Sequence, residues 1–249
     1  MKAGGPEPER TTQSGGNRCL LATMTGELFQ PARLYYAIPG RTIVTERLRC
    51  LECMVKSPLE SRWQWLYHAE AKAISIGNGY DAVPNEKRPI ILGSIRFTSN
   101  KEMTIQVNSF ERAVAAARFF GSRLGAKTTA MRCRVVNRCF DSAEGPPKVL
   151  METLDKDVTV CDSKEAMAAA KKDFKRTASE VMRKRIRSRE DIPMVEDFPL
   201  APEEESPGFE HLNVALTLRF VRAVEHWKGN QGTLTEIIAR LFESPRNGS

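Results

Sequence analysis

The order strand, strand, helix, strand between Ile90 and Phe140 limits the folds open to this chain more than any other feature. Ile90–Phe97 and Met103–Val107 are rich in β-branched and apolar residues, and the polar link Thr98–Glu102 joins them as a hairpin. Asn108 stands three residues before Glu111, the spacing of a capping box, and predicts a helix over Ser109–Leu124. Val114, Ala117, Phe120 and Leu124 form its apolar stripe, and Gly125 is its stop. Thr129–Phe140 reads as a long strand. Gly145-Pro146-Pro147 breaks it, and Val149–Leu154 and Val158–Cys161 read as further strands. This succession predicts an α+β fold, an antiparallel sheet with helices packed on one face. A long basic helix and a C-terminal helical hairpin are expected to follow it.

The remaining segments are less periodic. Residues 1–17 are rich in Gly, Pro, Ser and Thr and lack an apolar run, which predicts a disordered tail and not a signal peptide. Leu20–Ile38 shows no clean period. Val44, Leu48, Leu51 and Val55 recur at helical spacing, and Leu59, Trp63, Leu66 and Ile74 suggest a second helix after Pro58. The expected organisation is an α+β core over 18–163, a basic helix over 164–189, an acidic proline-containing linker over 190–207 and a helical hairpin over 208–244. In that hairpin Leu212, Leu216, Phe220 and Trp227 share one seam. Leu234, Ile237, Ile238, Leu241 and Phe242 form the face of the second helix. No apolar run approaches the twenty residues of a membrane span. Six cysteines in an ordinary composition suggest reduced thiols and a cytoplasmic protein.

Charge is the strongest functional signal. The chain carries a formal net charge of +7. Residues 164–189 hold ten Lys/Arg against three Asp/Glu, whereas residues 190–205 hold seven acidic groups and no basic one. On a helical projection Met167, Ala170, Phe174, Ala178 and Val181 share one side, facing away from Lys164, Lys171, Lys172, Lys175 and Arg176. Beyond Val181 the segment Arg183, Lys184, Arg185, Arg187, Arg189 is cationic almost all round. Such a block attracts polyanions, and an acidic neighbour competes for it. In Thr129–Phe140 the alternation sends Met131, Cys133 and Val135 to one face and Arg132, Arg134 and Arg138 to the other, where an arginine row could meet a phosphate backbone.

Catalytic motifs are sparse. His68-Ala69-Glu70, with Ala71 and Ile74, resembles the His-Ala-Glu helix of zinc-dependent nucleoside and nucleic-acid deaminases. The resemblance implies a zinc-binding His68 and a proton-shuttling Glu70. It covers residues 68–74. The family's downstream Pro-Cys-x-x-Cys is missing, since the one Cys-x-x-Cys, Cys50 and Cys53, lies upstream. Cys133 and Cys139 stand six residues apart on a straight strand, about 20 Å, too far for one zinc ion. A chance tripeptide on an amphipathic helix is the preferred reading. There is no nucleophile elbow, no Walker loop and no dinucleotide fingerprint.

The sequence therefore predicts a non-enzymatic protein without cofactor or metal that binds nucleic acid or another polyanion. Its expected site is Lys171, Lys172, Lys175, Arg176, Arg183, Lys184, Arg185, Arg187 and Arg189, with Arg132, Arg134 and Arg138 as support. An adaptor or assembly subunit is the first alternative, using 209–243 as a homo-oligomer or partner interface. A metal-dependent enzyme around His68, Glu70, Cys50 and Cys53 is the second.

Overall fold

A computed structural model describes residues 19–58, 61–146, 150–155, 158–160, 194–200, 208–230, 232–233 and 236–237. Among them, eight strands form one sheet. In chain order these are β1 (Ala32–Ala37), β2 (Met54–Lys56), β3 (Arg62–Leu66), β4 (Ile91–Phe97), β5 (Glu102–Val107), β6 (Thr129–Val136), β7 (Val158–Val160) and β8 (Val195–Pro199). Their spatial order is β2-β3-β4-β5-β1-β6-β8-β7. Every neighbouring pair is antiparallel except β7 and β8, which run parallel. Four α-helices join them: α1 (Arg41–Arg49), α2 (Phe110–Arg123), α3 (Leu150–Asp155) and α4 (Gly208–Trp227). The fold is α+β, as the sequence predicts.

The strand period of two decides which side chains meet the helices. Cross-strand partners Trp63 and Ile95, Ile105 and Leu34, and Cys133 and Phe198 all point to one face. There they join Val44 and Leu48 of α1, Phe119 and Phe120 of α2, and Leu212 and Leu216 of α4 in one apolar cluster. Short α3 lies on the other side, where Leu154 packs with Val136, Val195, Phe29 and Phe140. The rest of that second face carries no described helix.

Several local expectations change. The helix expected over 59–74 is strand β3 at Arg62–Leu66 followed by a 3-10 turn at Ala69–Ala73. Trp63 and Trp65 alternate inward, 6% and 0% exposed, so their spacing is that of a strand. Val149–Leu154 contributes helix α3 instead of a strand. Helix α1 stops at Arg49, leaving Cys50 and Cys53 in the turn that leads into β2. The cap of α2 is Ser109, not Asn108, with its hydroxyl accepting from the Arg112 N–H at 3.1 Å.

The acidic stretch is corrected most sharply. Within the expected linker, Val195–Pro199 is strand β8, hydrogen-bonded to β6 on one side and β7 on the other. Val195, Phe198 and Leu200 are buried, and that apolar content draws the acidic segment into the sheet. Helix α4 docks on α2 through Leu212 and Leu216, with Phe220 packed beside them, so the expected seam covers the chain's own core. The 164–189 segment and most of the second hairpin helix lie outside the described residues. No described helix is long and apolar enough to cross a membrane.

Candidate nucleic-acid interface

Two arginine groups stand out among the described residues, and their environments are opposite. The first lies on the second face of the sheet. Register sets Arg33 opposite Arg134 and Tyr35 opposite Arg132 across β1 and β6. A bulge at Met131 exposes that methionine and turns Ala130, Cys133 and Val135 inward, which keeps both arginines on the second face. Asp197 of β8 closes the group. Its carboxylate accepts from Arg134 Nε at 2.7 Å and Nη2 at 3.0 Å, and also from Arg132. Asp155 of α3 bridges Arg134 at 2.9 Å and Arg33 at 2.8 Å. The Arg132 guanidinium lies over the Tyr35 ring, 3.8 Å from its centroid. The Asp197 hydrogen bonds raise Arg134 further above its ordinary value.

Three residues of the expected site are thereby located. Arg132 and Arg134 do share the second face, but Asp197 already occupies them. Arg138 lies beyond the end of β6 and pairs with Glu144 at 3.4 Å on the surface. The acidic stretch thus neutralises the arginines of β6. Lys171, Lys172, Lys175, Arg176, Arg183, Lys184, Arg185, Arg187 and Arg189 lie outside the described residues.

The second group collects at one end of the sheet. Strands β1, β2 and β4 finish there, and β3, β5 and β6 begin there. Lys56, Arg62 and Arg96 stand at these strand ends, and Lys101 lies in the turn between β4 and β5. Helix α1 starts at the same end, with Arg41 over the Phe97 ring at 5.3 Å and its guanidinium donating to Ser61 at 3.4 Å. Helix α2 finishes there with Arg123, followed by Lys127. Gly125 takes a φ of +87°, and a side chain at that position would meet the Arg47 guanidinium at 2.9 Å, so α1 and α2 bring their cations together. Arg41, Arg47, Lys56, Lys101, Arg123 and Lys127 form no ion pair with any described carboxylate. Lys101 donates to the Pro39 carbonyl at 2.7 Å and Arg123 to that of Phe119 at 3.2 Å, contacts that hold the chains without cancelling charge. Glu46 and Glu102 are the carboxylates that α1 and β5 bring to this end.

No sequence motif marks this group, because its members come from five separate segments. The available signal is weak: α1 has no acidic residue in its first turn and two arginines in its last.

The deaminase-like tripeptide serves the backbone. His68 precedes a 3-10 turn without a side-chain capping bond, and the Glu70 carboxylate accepts from the Glu52 and Cys53 N–H groups, each at 3.1 Å. Burial would raise the Glu70 carboxyl, but those N–H donors hold it below its ordinary value. Burial, reinforced by Glu70, pushes the Cys53 thiol up to about 12. Among the described residues no three metal-ligating side chains gather. A small cavity of about 40 Å³ beside α4 is lined by Asn137, Arg219, Arg222, Ala223 and His226. One lining residue, Arg219, donates to the buried Glu196 carboxylate at 2.7 and 3.0 Å.

The deepest ion pair is also structural. Glu27 is 3% exposed, and its carboxylate accepts from Arg112 Nε at 2.8 Å and from the hydroxyls of Thr23 and Thr25. Burial works against the charged form, but Arg112 and the two hydroxyls outweigh it and hold Glu27 below its ordinary 4.5. Comparison with known proteins returned no match to a family model, to a curated sequence or to a solved structure.

Proposed function

We propose that this protein is a non-catalytic nucleic-acid binder whose contact surface is the cationic end of the sheet. The observation that carries the reading is the convergence of Arg41, Arg47, Lys101, Arg123 and Lys127, none of them ion-paired with a described carboxylate. Bringing like charges together costs energy unless a polyanion offsets it, and phosphate backbones offer the matching charge density. Guanidinium groups suit phosphate because they donate in a planar fork. The block at 164–189 adds cations to the same chain and favours the same class of ligand. The described cysteines 19, 50, 53, 133 and 139 are free thiols, which supports a reducing, cytoplasmic setting.

The test is fluorescence anisotropy of labelled oligonucleotides with wild type and the variant Arg41→Gln, Arg47→Gln, Lys101→Gln, Arg123→Gln, at two salt concentrations. The variant is expected to bind at least about tenfold more weakly at low salt. Its salt dependence should be shallower by about one for each cation lost. Equal affinity and equal salt slope would refute this surface.

A further inference from the structure

The second face of the sheet, between β3 and β6, offers more than charge. Two side-chain rows cross it, set by register. The lower row runs Arg62, Arg96, Thr104, Tyr35, Arg132, and the upper row runs Gln64, Ser94, Gln106, Arg33, Arg134. Neighbouring positions within a row are about 4.8 Å apart, and the rows are about 7 Å apart along the strands. Arg62 and Arg96 stand where the face meets the cationic end, so the lower row borders that surface.

The upper row changes what the surface can recognise. Gln64, Ser94 and Gln106 are half-buried, and their side chains make no hydrogen bond with any described residue. Each offers both donor and acceptor capacity. Three such groups in line across three strands form a continuous strip of unused hydrogen-bonding positions. At the far end of the lower row the Arg132 guanidinium lies over the Tyr35 ring, and its side chain is 38% exposed. A guanidinium plane held in this way is a stacking surface for a base.

These groups lie close to the sheet surface. They cannot reach into a duplex groove, whose base edges sit behind two backbones. Unpaired bases can be splayed onto such a face, stacked on aromatic or guanidinium planes and hydrogen-bonded along their edges. Resting on the nucleic-acid reading above, we infer that the ligand is a single strand. Its phosphates follow the cationic end of the sheet, and its bases lie on Gln64, Ser94 and Gln106. From Arg62 to Arg132 the face spans four inter-strand gaps, about 19 Å, room for about three nucleotides.

The experiment compares labelled oligomers on the full chain at low salt: a thymidine 12-mer, a uridine 12-mer, a 12-base-pair duplex and a 12-mer of abasic sites. The abasic strand keeps every phosphate and removes every base. The thymidine or uridine strand is expected to bind about tenfold more tightly than the abasic strand and the duplex. The better of the two shows whether the ligand is DNA or RNA. The variant Gln64→Ala, Gln106→Ala, checked for unchanged thermal unfolding, should bring the preferred strand close to abasic affinity. Abasic and base-bearing strands bound equally, with salt-sensitive affinity in both, would overturn this inference and leave the cationic-end reading standing. No binding of any oligomer at low salt would overturn both.

Discussion

Arg112, Arg132 and Arg134 differ from Arg41, Arg47 and Arg123 in surroundings, not in chemistry. The first three are aimed at carboxylates that are themselves buried, Glu27 and Asp197, 3% and 1% exposed. The last three end near backbone carbonyls, aromatic rings or a glycine, with no described carboxylate paired to them. An arginine in the closed setting is part of the fold, because removing it strands a buried anion. An arginine in the open setting remains available to an external anion. Counting basic residues cannot separate the two.

The sharpest way to break this contrast is Arg112→Ala. It leaves Glu27 ionised in the core without its main partner, and the expected loss is about 3–5 kcal/mol of unfolding free energy in a denaturant titration. A loss near that of a surface substitution would show that the closed class is not structural. The same site carries a pH signature. Because Glu27 titrates below its ordinary 4.5 in the folded state, its contribution is complete above that value and fades as pH falls through the lower folded one. Glu27→Gln should flatten acid destabilisation in that window.

Asp197→Asn tests whether a closed arginine can be opened. Its three charge-assisted hydrogen bonds to Arg132 and Arg134 would weaken, at an expected cost of about 1.5–3 kcal/mol. Nucleic-acid retention at low salt should rise as those guanidiniums lose their internal anion. Unchanged stability together with unchanged retention would sink the idea that Asp197 decides their role. The smallest effect is expected from Arg138→Ala. Its partner Glu144 is exposed, so unfolding free energy should move by less than about 0.5 kcal/mol.

Legibility in the sequence followed the physics of each segment. The hairpin Ile91–Val107 and helix α2 were readable because hydrophobic period and turn agree locally, with the cap one residue from the expected one. Strand β1 was not. It alternates Leu34 and Tyr36 with Arg33 and Tyr35, but its second-face arginine finds its anion 122 residues away at Asp155, a contact that no window reveals. Strand β3 was misread because Trp63 and Leu66 also fit a helical spacing, and only Trp65, fully buried, settles the period as two. The arginine row of β6 was legible as alternation, its neutralisation by Asp197 was not, and the acidic stretch looked like a linker because its buried residues are few. The cationic end assembles residues from five segments and left no contiguous trace.

The position of β1 also bears on how the chain reaches this fold. It precedes both of its neighbours, β5 and β6, in the chain, and the pair Glu27 and Arg112 just outside it spans 85 residues. None of its lateral hydrogen bonds can form until the chain has been made past residue 102, and the second set waits for residue 129. Contacts of such long sequence separation make folding slow, because loop closure precedes the reward. The central strand therefore emerges from the ribosome with both edges bare, and a nascent chain stalled before Val107 would be the species most in need of a chaperone.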